Sequence, residues 1–253
     1  MEKGERRQRG AHYTSERDIL KVVNSLFLES LDAELVAISG DASTRRAARI
    51  KEYLTKLRSL HFLDPACGCG NFLVISYREL RRLELRALRE LHADGAQAEA
   101  LGLLVQVDVD QFYGIEIDRW PAEIARAAMW LMDHQMNQEV SEAFARDYAR
   151  LPLQTSPHIT PDNALRIDWK TVLNPQDCSY VLGNPPFVGK HLMNVEQSQD
   201  IEIVWRDLNG AGFLDYVTAW YCKAAEYIQG TKISTAFVST NSITQGEQVQ
   251  REI

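Results

Sequence analysis

Cysteine is scarce: Cys67, Cys69, Cys178 and Cys222 are the only four in 253 residues, with no Cys-x-x-Cys pair and no histidine cluster beside them. That excludes a disulfide scaffold, a zinc ribbon and thioredoxin-type chemistry, so no metal site is expected and a reducing, cytoplasmic setting is. Long apolar runs are missing as well. Nothing approaches the roughly 20 residues that cross a bilayer, and the charged start Met1-Glu-Lys-Gly-Glu-Arg-Arg leads into no apolar signal core. A surplus of positive charge is lacking: the net charge is −7, with 17 basic against 13 acidic residues over 1–92 and 11 against 22 over the remainder. This is not the footprint of a self-sufficient nucleic-acid binder. What is present, 45% apolar and 25% charged residues, suffices for a globular core.

Periodicity organises that core. Ile19, Val22, Val23, Leu26, Phe27 and Leu31 fall at helical spacing behind a candidate N-cap, Ser15. Ile50, Leu54 and Leu57 mark a second helix over about Ala42 to Leu60, so residues 1–60 read as a helical segment and 61–253 as the main fold. Strands are expected at His61-Phe-Leu-Asp, at Gln111-Phe-Tyr-Gly-Ile-Glu-Ile-Asp, at Ser179-Tyr-Val-Leu-Gly and from Lys232 to Thr240. Between them lie helices from Asn71 to about Leu91, from Pro121, and through Leu214, Val217, Tyr221, Ala224 and Ile228 to a stop at Gly230. Strands separated by helices imply a Rossmann-like α/β fold, a parallel sheet with helices on both faces, whose ligands sit beyond the carboxyl ends of the strands. The series Arg78, Arg81, Arg82, Arg86 and Arg89 reads as a solvated helix face paired with Glu79, Glu84 and Glu90. Trp120, Trp130, Trp205 and Trp220 read as core or interface side chains.

Two strand ends suit a nucleoside-bearing ligand. In Asp64-Pro-Ala-Cys-Gly-Cys-Gly-Asn-Phe, Gly68 and Gly70 permit a tight turn and close backbone approach, while Leu73 stands where a dinucleotide fingerprint needs its third glycine. A ligand without a pyrophosphate fits that departure, and the Asp64 carboxylate favours a cationic amino group over a phosphate. In Gly114-Ile-Glu-Ile-Asp, Glu116 is placed to accept from two ribose hydroxyls and Ile117 to cover an adenine face. The long spacing between these motifs is attributed to the helix and a polar insertion around His92–Leu101. The competing reading is a glycine turn beside a surface glutamate.

Asn184-Pro-Pro-Phe, after an apolar strand, is the most specific motif. Pro185 and Pro186 stiffen the chain as it leaves the sheet. The Asn184 side-chain oxygen and the Pro185 carbonyl then form a fixed pair of acceptors for the two hydrogens of an exocyclic amine, drawing its lone pair out of ring conjugation. Phe187 is placed to stack on the base. The competing reading is an Asx-Pro turn with Phe187 in the core.

Taken with His12-Tyr-Thr, Asn163-Ala-Leu and Ser239-Thr-Asn-Ser-Ile-Thr, these motifs resemble the class I S-adenosylmethionine-dependent DNA methyltransferases acting on adenine N6. Gly10-Ala-His-Tyr-Thr-Ser, Trp130-Leu-Met-Asp-His-Gln-Met-Asn and Leu182-Gly-Asn-Pro-Pro-Phe-Val-Gly resemble the methylase part of bacterial type II enzymes that fuse restriction and modification. The resemblance runs from about Gly10 to Gln250. It implies S-adenosylmethionine as cofactor, with Tyr13 and Thr14 closing over its methionine end, Ala66, Gly68 and Gly70 lining it, Glu116 on the ribose and Asn163, where relatives often carry Asp, at the adenine edge. Double-stranded DNA is the implied partner, its target adenine flipped into the pocket. It also implies that the last strands and the target-recognition region lie beyond Ile253, so that these residues are a fragment with little independent activity and an open sheet edge inviting self-association. Two other functions remain: methylation of a protein glutamine or another planar amine, since release-factor methylases share an Asn-Pro-Pro-aromatic loop, and an inactive cofactor-binding scaffold.

Overall fold

The computed structural model describes residues 14–95, 105–144, 155–206 and 214–244. Tyr13 and positions 96–104 of the expected insertion lie outside them. Ser15 caps the first helix, its Oγ accepting from the Asp18 N–H at 3.3 Å. The helix runs as α1 (Glu16–Val23), a π turn over Asn24–Leu28, and α2 (Glu29–Ser39). The wider turn delivers Phe27 to the core, its ring centroid 5.1 Å from those of Phe62 and Tyr180. Helix α3 (Arg46–Ser59) buries Ile50, Tyr53, Leu54 and Leu57, and the Tyr53 hydroxyl donates to the Leu31 carbonyl.

There follow β1 (Phe62–Asp64), α4 (Asn71–Ala93), β2 (Phe112–Glu116), α5 (Arg119–Phe144), β3 (His158–Pro161), β4 (Tyr180–Gly183), α6 (Val195–Val204), α7 (Thr218–Ile228) and β5 (Ser234–Phe237). The sheet order is β3-β2-β1-β4-β5, and every neighbouring pair is parallel. Strand order reverses between β1 and β4, the switch point at which such sheets open a ligand crevice. Side-chain alternation supplies two cores. Phe62, Phe112 and Leu182 pack with α1 to α5, including Ile19 and Val23 of the N-terminal segment. Leu63, Ile115 and Val181 face the other way, onto Trp169, Ile201 and Trp220.

Strand β3 corrects the sequence reading, which had no strand there. Of its four residues only Ile159 is buried, and Pro161 ends it. Arg81 is a second correction. It is buried rather than solvated because α4 packs on several sides, and its guanidinium donates to the Tyr77 hydroxyl (2.7 Å), Asp133 (3.1 Å) and Asn137 (2.9 Å) and pairs with Glu84 (3.1 Å). Two residues of the Trp130–Asn137 motif thereby clamp α5 to α4. Trp120 is not a core side chain: it is 76% exposed. Among the described residues no helix is long and apolar enough to cross a membrane.

Candidate active site

The turn after β1 is built from backbone. The Cys67 N–H donates to the Ile115 carbonyl (3.0 Å), tying the turn to β2, and the Gly70 N–H donates to the Cys67 carbonyl (2.7 Å). Gly68 (φ +54°) and Gly70 (φ +85°) are left-handed, which L side chains rarely tolerate. The two glycines differ in surroundings. A Cβ on Gly70 would come 3.0 Å from the Ala125 Cβ of α5, whereas one on Gly68 would meet nothing within 4 Å. Gly68 thus turns bare backbone toward open space, a cradle that a ligand can approach. Gly114 on β2 is bare for another reason: a Cβ there would lie 2.7 Å from the Cys67 sulfur.

Glu116 joins this turn to the end of β2. One carboxylate oxygen accepts from the Gly68 N–H and the other from the Asp118 N–H, each at 3.0 Å. Ile117 beside it is 63% exposed. The Asp162 N–H donates to the Glu116 carbonyl at 3.0 Å, bringing in the end of β3. Asn163 follows, but its side chain is engaged by the protein: Nδ2 donates to Asp200 (3.0 Å) and Oδ1 accepts from the Leu165 N–H (2.9 Å). Asp200, buried on α6, also accepts from Arg166 (2.6 Å) and the Tyr216 hydroxyl (2.8 Å), and so fixes the loop after β3.

Asp64, read from the sequence as a carboxylate favouring a cationic amino group, is turned inward. It is 1% exposed, and it accepts from the Ala66 N–H at 3.0 Å. Burial pushes its carboxyl up to about 8, with the Glu116 charge adding and the Ala66 N–H opposing. Its service is to the protein: a Cβ on Gly183 would fall 2.4 Å from Asp64 Oδ1. The residue before Asn184 therefore lies against the residue that opens the glycine turn, and the two corners adjoin at the same end of the sheet.

Asn184 and Phe187 are half-buried and Pro185 is buried. The Asn184 Nδ2 donates to the Thr14 hydroxyl at 2.6 Å, which brings the N-terminal element to the same place. The Val238 N–H donates to the Gly183 carbonyl (2.9 Å), so Ser239 and Thr240 emerge beside the loop. Trp220 donates from Nε1 to the Pro65 carbonyl at 3.0 Å and meets Tyr216 edge-on, bracing the glycine turn from below. Sequence reasoning missed Asp200 and the bracing role of Trp220. The four-residue spacing of Tyr216 and Trp220 hinted at the second; nothing in Val195-Glu-Gln-Ser-Gln-Asp marks the first.

A sheet of this order, with a glycine turn after β1, a carboxylate closing β2 and Asn-Pro-Pro-Phe closing β4, defines a Rossmann-like methyltransferase. The chain belongs to the MmeI DNA-methyltransferase domain family, which matches residues 40–252. It is 38% identical over 246 residues to DNA methyltransferase A of Bacillus subtilis (strain 168), covering 95% of this chain and 27% of that protein. It is also similar to the Type IIL restriction-modification enzyme MmeI, solved in complex with DNA, with a TM-score of 0.93 and 51% identity over 99% of this chain and 33% of that one. The chain spans about a quarter to a third of the length of these relatives.

Proposed function

We propose that these residues are the methylase of a restriction-modification enzyme, acting on the N6 amino group of adenine in double-stranded DNA with S-adenosylmethionine as donor. The observation that carries the reading is convergence: Gly183 against Asp64, Glu116 on the Gly68 N–H and Thr14 on Asn184 bring the glycine turn, the end of β2, the Asn-Pro-Pro-Phe loop and Thr14 together at one end of the sheet. The residues suit the cofactor, since Gly68 leaves open the volume a side chain would take and Glu116 stands at its rim. Ala66, Gly68 and Gly70 line it, Glu116 holds the ribose hydroxyls, and Ile117 covers the adenine. Asn163 shapes the turn at the adenine edge through Asp200 and Leu165. S-adenosylmethionine, when bound, supplies a methyl group activated by its sulfonium.

The Asn184 side-chain oxygen and the Pro185 carbonyl accept the two hydrogens of the flipped adenine's amine. This concentrates electron density on nitrogen, and no strong base is needed beforehand, because the surplus amine proton is released to solvent after the methyl group has transferred. Phe187 fixes the base plane, and positioning supplies most of the acceleration.

Two measurements test the reading. Radiolabelled methyl transfer should go to unmodified DNA and not to glutamine-bearing peptides; label on peptide would overturn it. Asn184→Ala should abolish transfer while calorimetry finds S-adenosylmethionine binding nearly normal, and full activity in that variant would end the polarising role.

A further inference from the structure

An asparagine amide presents an acceptor and a donor end of nearly equal shape, interchanged by a half-turn about its last torsion. Only the oxygen end accepts an amine hydrogen. Pro185 and Pro186 stiffen the backbone after Asn184, but they leave its side-chain torsions free. The Thr14 hydroxyl, 170 residues away in sequence, takes the nitrogen end at 2.6 Å.

Thr14 is itself held by neighbouring structure. It precedes Ser15, the N-cap of α1, and α1 is anchored by the buried Ile19 and Val23 and by a 2.8 Å ion pair between Glu16 and Arg78 of α4. The hydroxyl is therefore mounted on a helix packed into the core, the condition under which a single hydrogen bond sets an orientation rather than following it.

We propose that Thr14 is a positioning residue for Asn184: by engaging Nδ2 it holds the amide in one place beside the reacting loop, coupling the N-terminal element to that loop. This rests on the polarising role of Asn184 given above. It differs from a cofactor contact, which is what the family resemblance implies for Thr14, in the parameter it moves. A cofactor contact changes affinity for S-adenosylmethionine, and an orienting contact changes kcat.

The test uses the enzyme as its gene encodes it. Thr14→Val keeps the shape and removes the hydroxyl, and should lower kcat about tenfold or more with the calorimetric Kd for S-adenosylmethionine held within about twofold. Thr14→Ser should restore most of the rate. In nuclear magnetic resonance spectra, the Asn184 side-chain amide signals should shift in Thr14→Val and return in Thr14→Ser. A wild-type kcat in Thr14→Val, a loss confined to Kd, or failure of serine to rescue would overturn the inference while leaving Asn184's role intact. A fully active Asn184→Ala enzyme would instead overturn that role, and this inference with it.

Discussion

Between Asp64 and Gly183 there is no room for one more carbon: a Cβ at 183 would stand 2.4 Å from the Asp64 carboxylate oxygen. Gly183→Ala must therefore push apart the two strand ends that form the crevice. We expect a loss of about 1–3 kcal/mol, the range for overpacking a filled interior, measured by urea unfolding. Paired with Asp64→Ala the loss should be less than additive, because the same atoms clash. Asp64 also sets a pH dependence. Its folded value of about 8 lies above the ordinary 3.8, so the native state keeps a proton that the unfolded chain releases between them. That stabilisation is fully present below about pH 4 and is lost as pH rises through about 8. Asp64→Asn cannot ionise, so its urea midpoint should gain on the wild type's from about pH 5 to about pH 9; parallel curves would show Asp64 to be ionised throughout. The sequence marked Asp64, Gly68, Gly70, Glu116 and Asn184 through spacing after strands. It could not show that Asp64 turns inward, since that depends on a glycine 119 residues later.

At the scale of elements, α4 is buried nearly all round, and its ionic residues divide sharply. Arg81 has no exposed side-chain surface, whereas Arg82, beside it, is 46% exposed. Arg81→Ala removes the cation shared by Asp133, Glu84 and Asn137 and leaves buried acceptors uncompensated. We expect a cost of about 3–5 kcal/mol, against less than about 1 kcal/mol for Arg82→Ala. Chemical denaturation of the two variants side by side decides it, and similar losses would remove the clamp. Arg81 shares its helix face with Tyr77, Leu85 and Leu88 and Arg82 shares its with Arg78, Arg86 and Arg89, a difference in spacing that a reading by charge alone passed over. Strands β1, β2, β4 and β5 were legible because two or more apolar residues run into a motif. His158-Ile-Thr-Pro was not: a four-residue strand with one buried side chain carries no alternation to read. The π turn was equally silent, because its apolar residues satisfy ordinary helical spacing.

At the scale of the whole molecule, β5 pairs with β4 alone among the described residues. The Ser234 and Val238 N–H groups donate to the Ser179 and Gly183 carbonyls. By strand alternation the Thr235 and Phe237 N–H groups point the other way, along the edge. An edge of this kind recruits another strand, and we expect the average mass of the 253-residue chain in light scattering to rise with concentration. The net charge of −7 opposes such pairing between copies. That repulsion is screened over roughly 8 Å at physiological salt, while backbone hydrogen bonds across the edge are not. Added salt should therefore strengthen the association, the reverse of what a contact between opposite charges would do. Thr235→Pro removes one outward donor and no bond to β4, and should return the chain toward monomer. If the mass stays at that of one chain at all concentrations and salts, the β5 edge is not a site of pairing between copies.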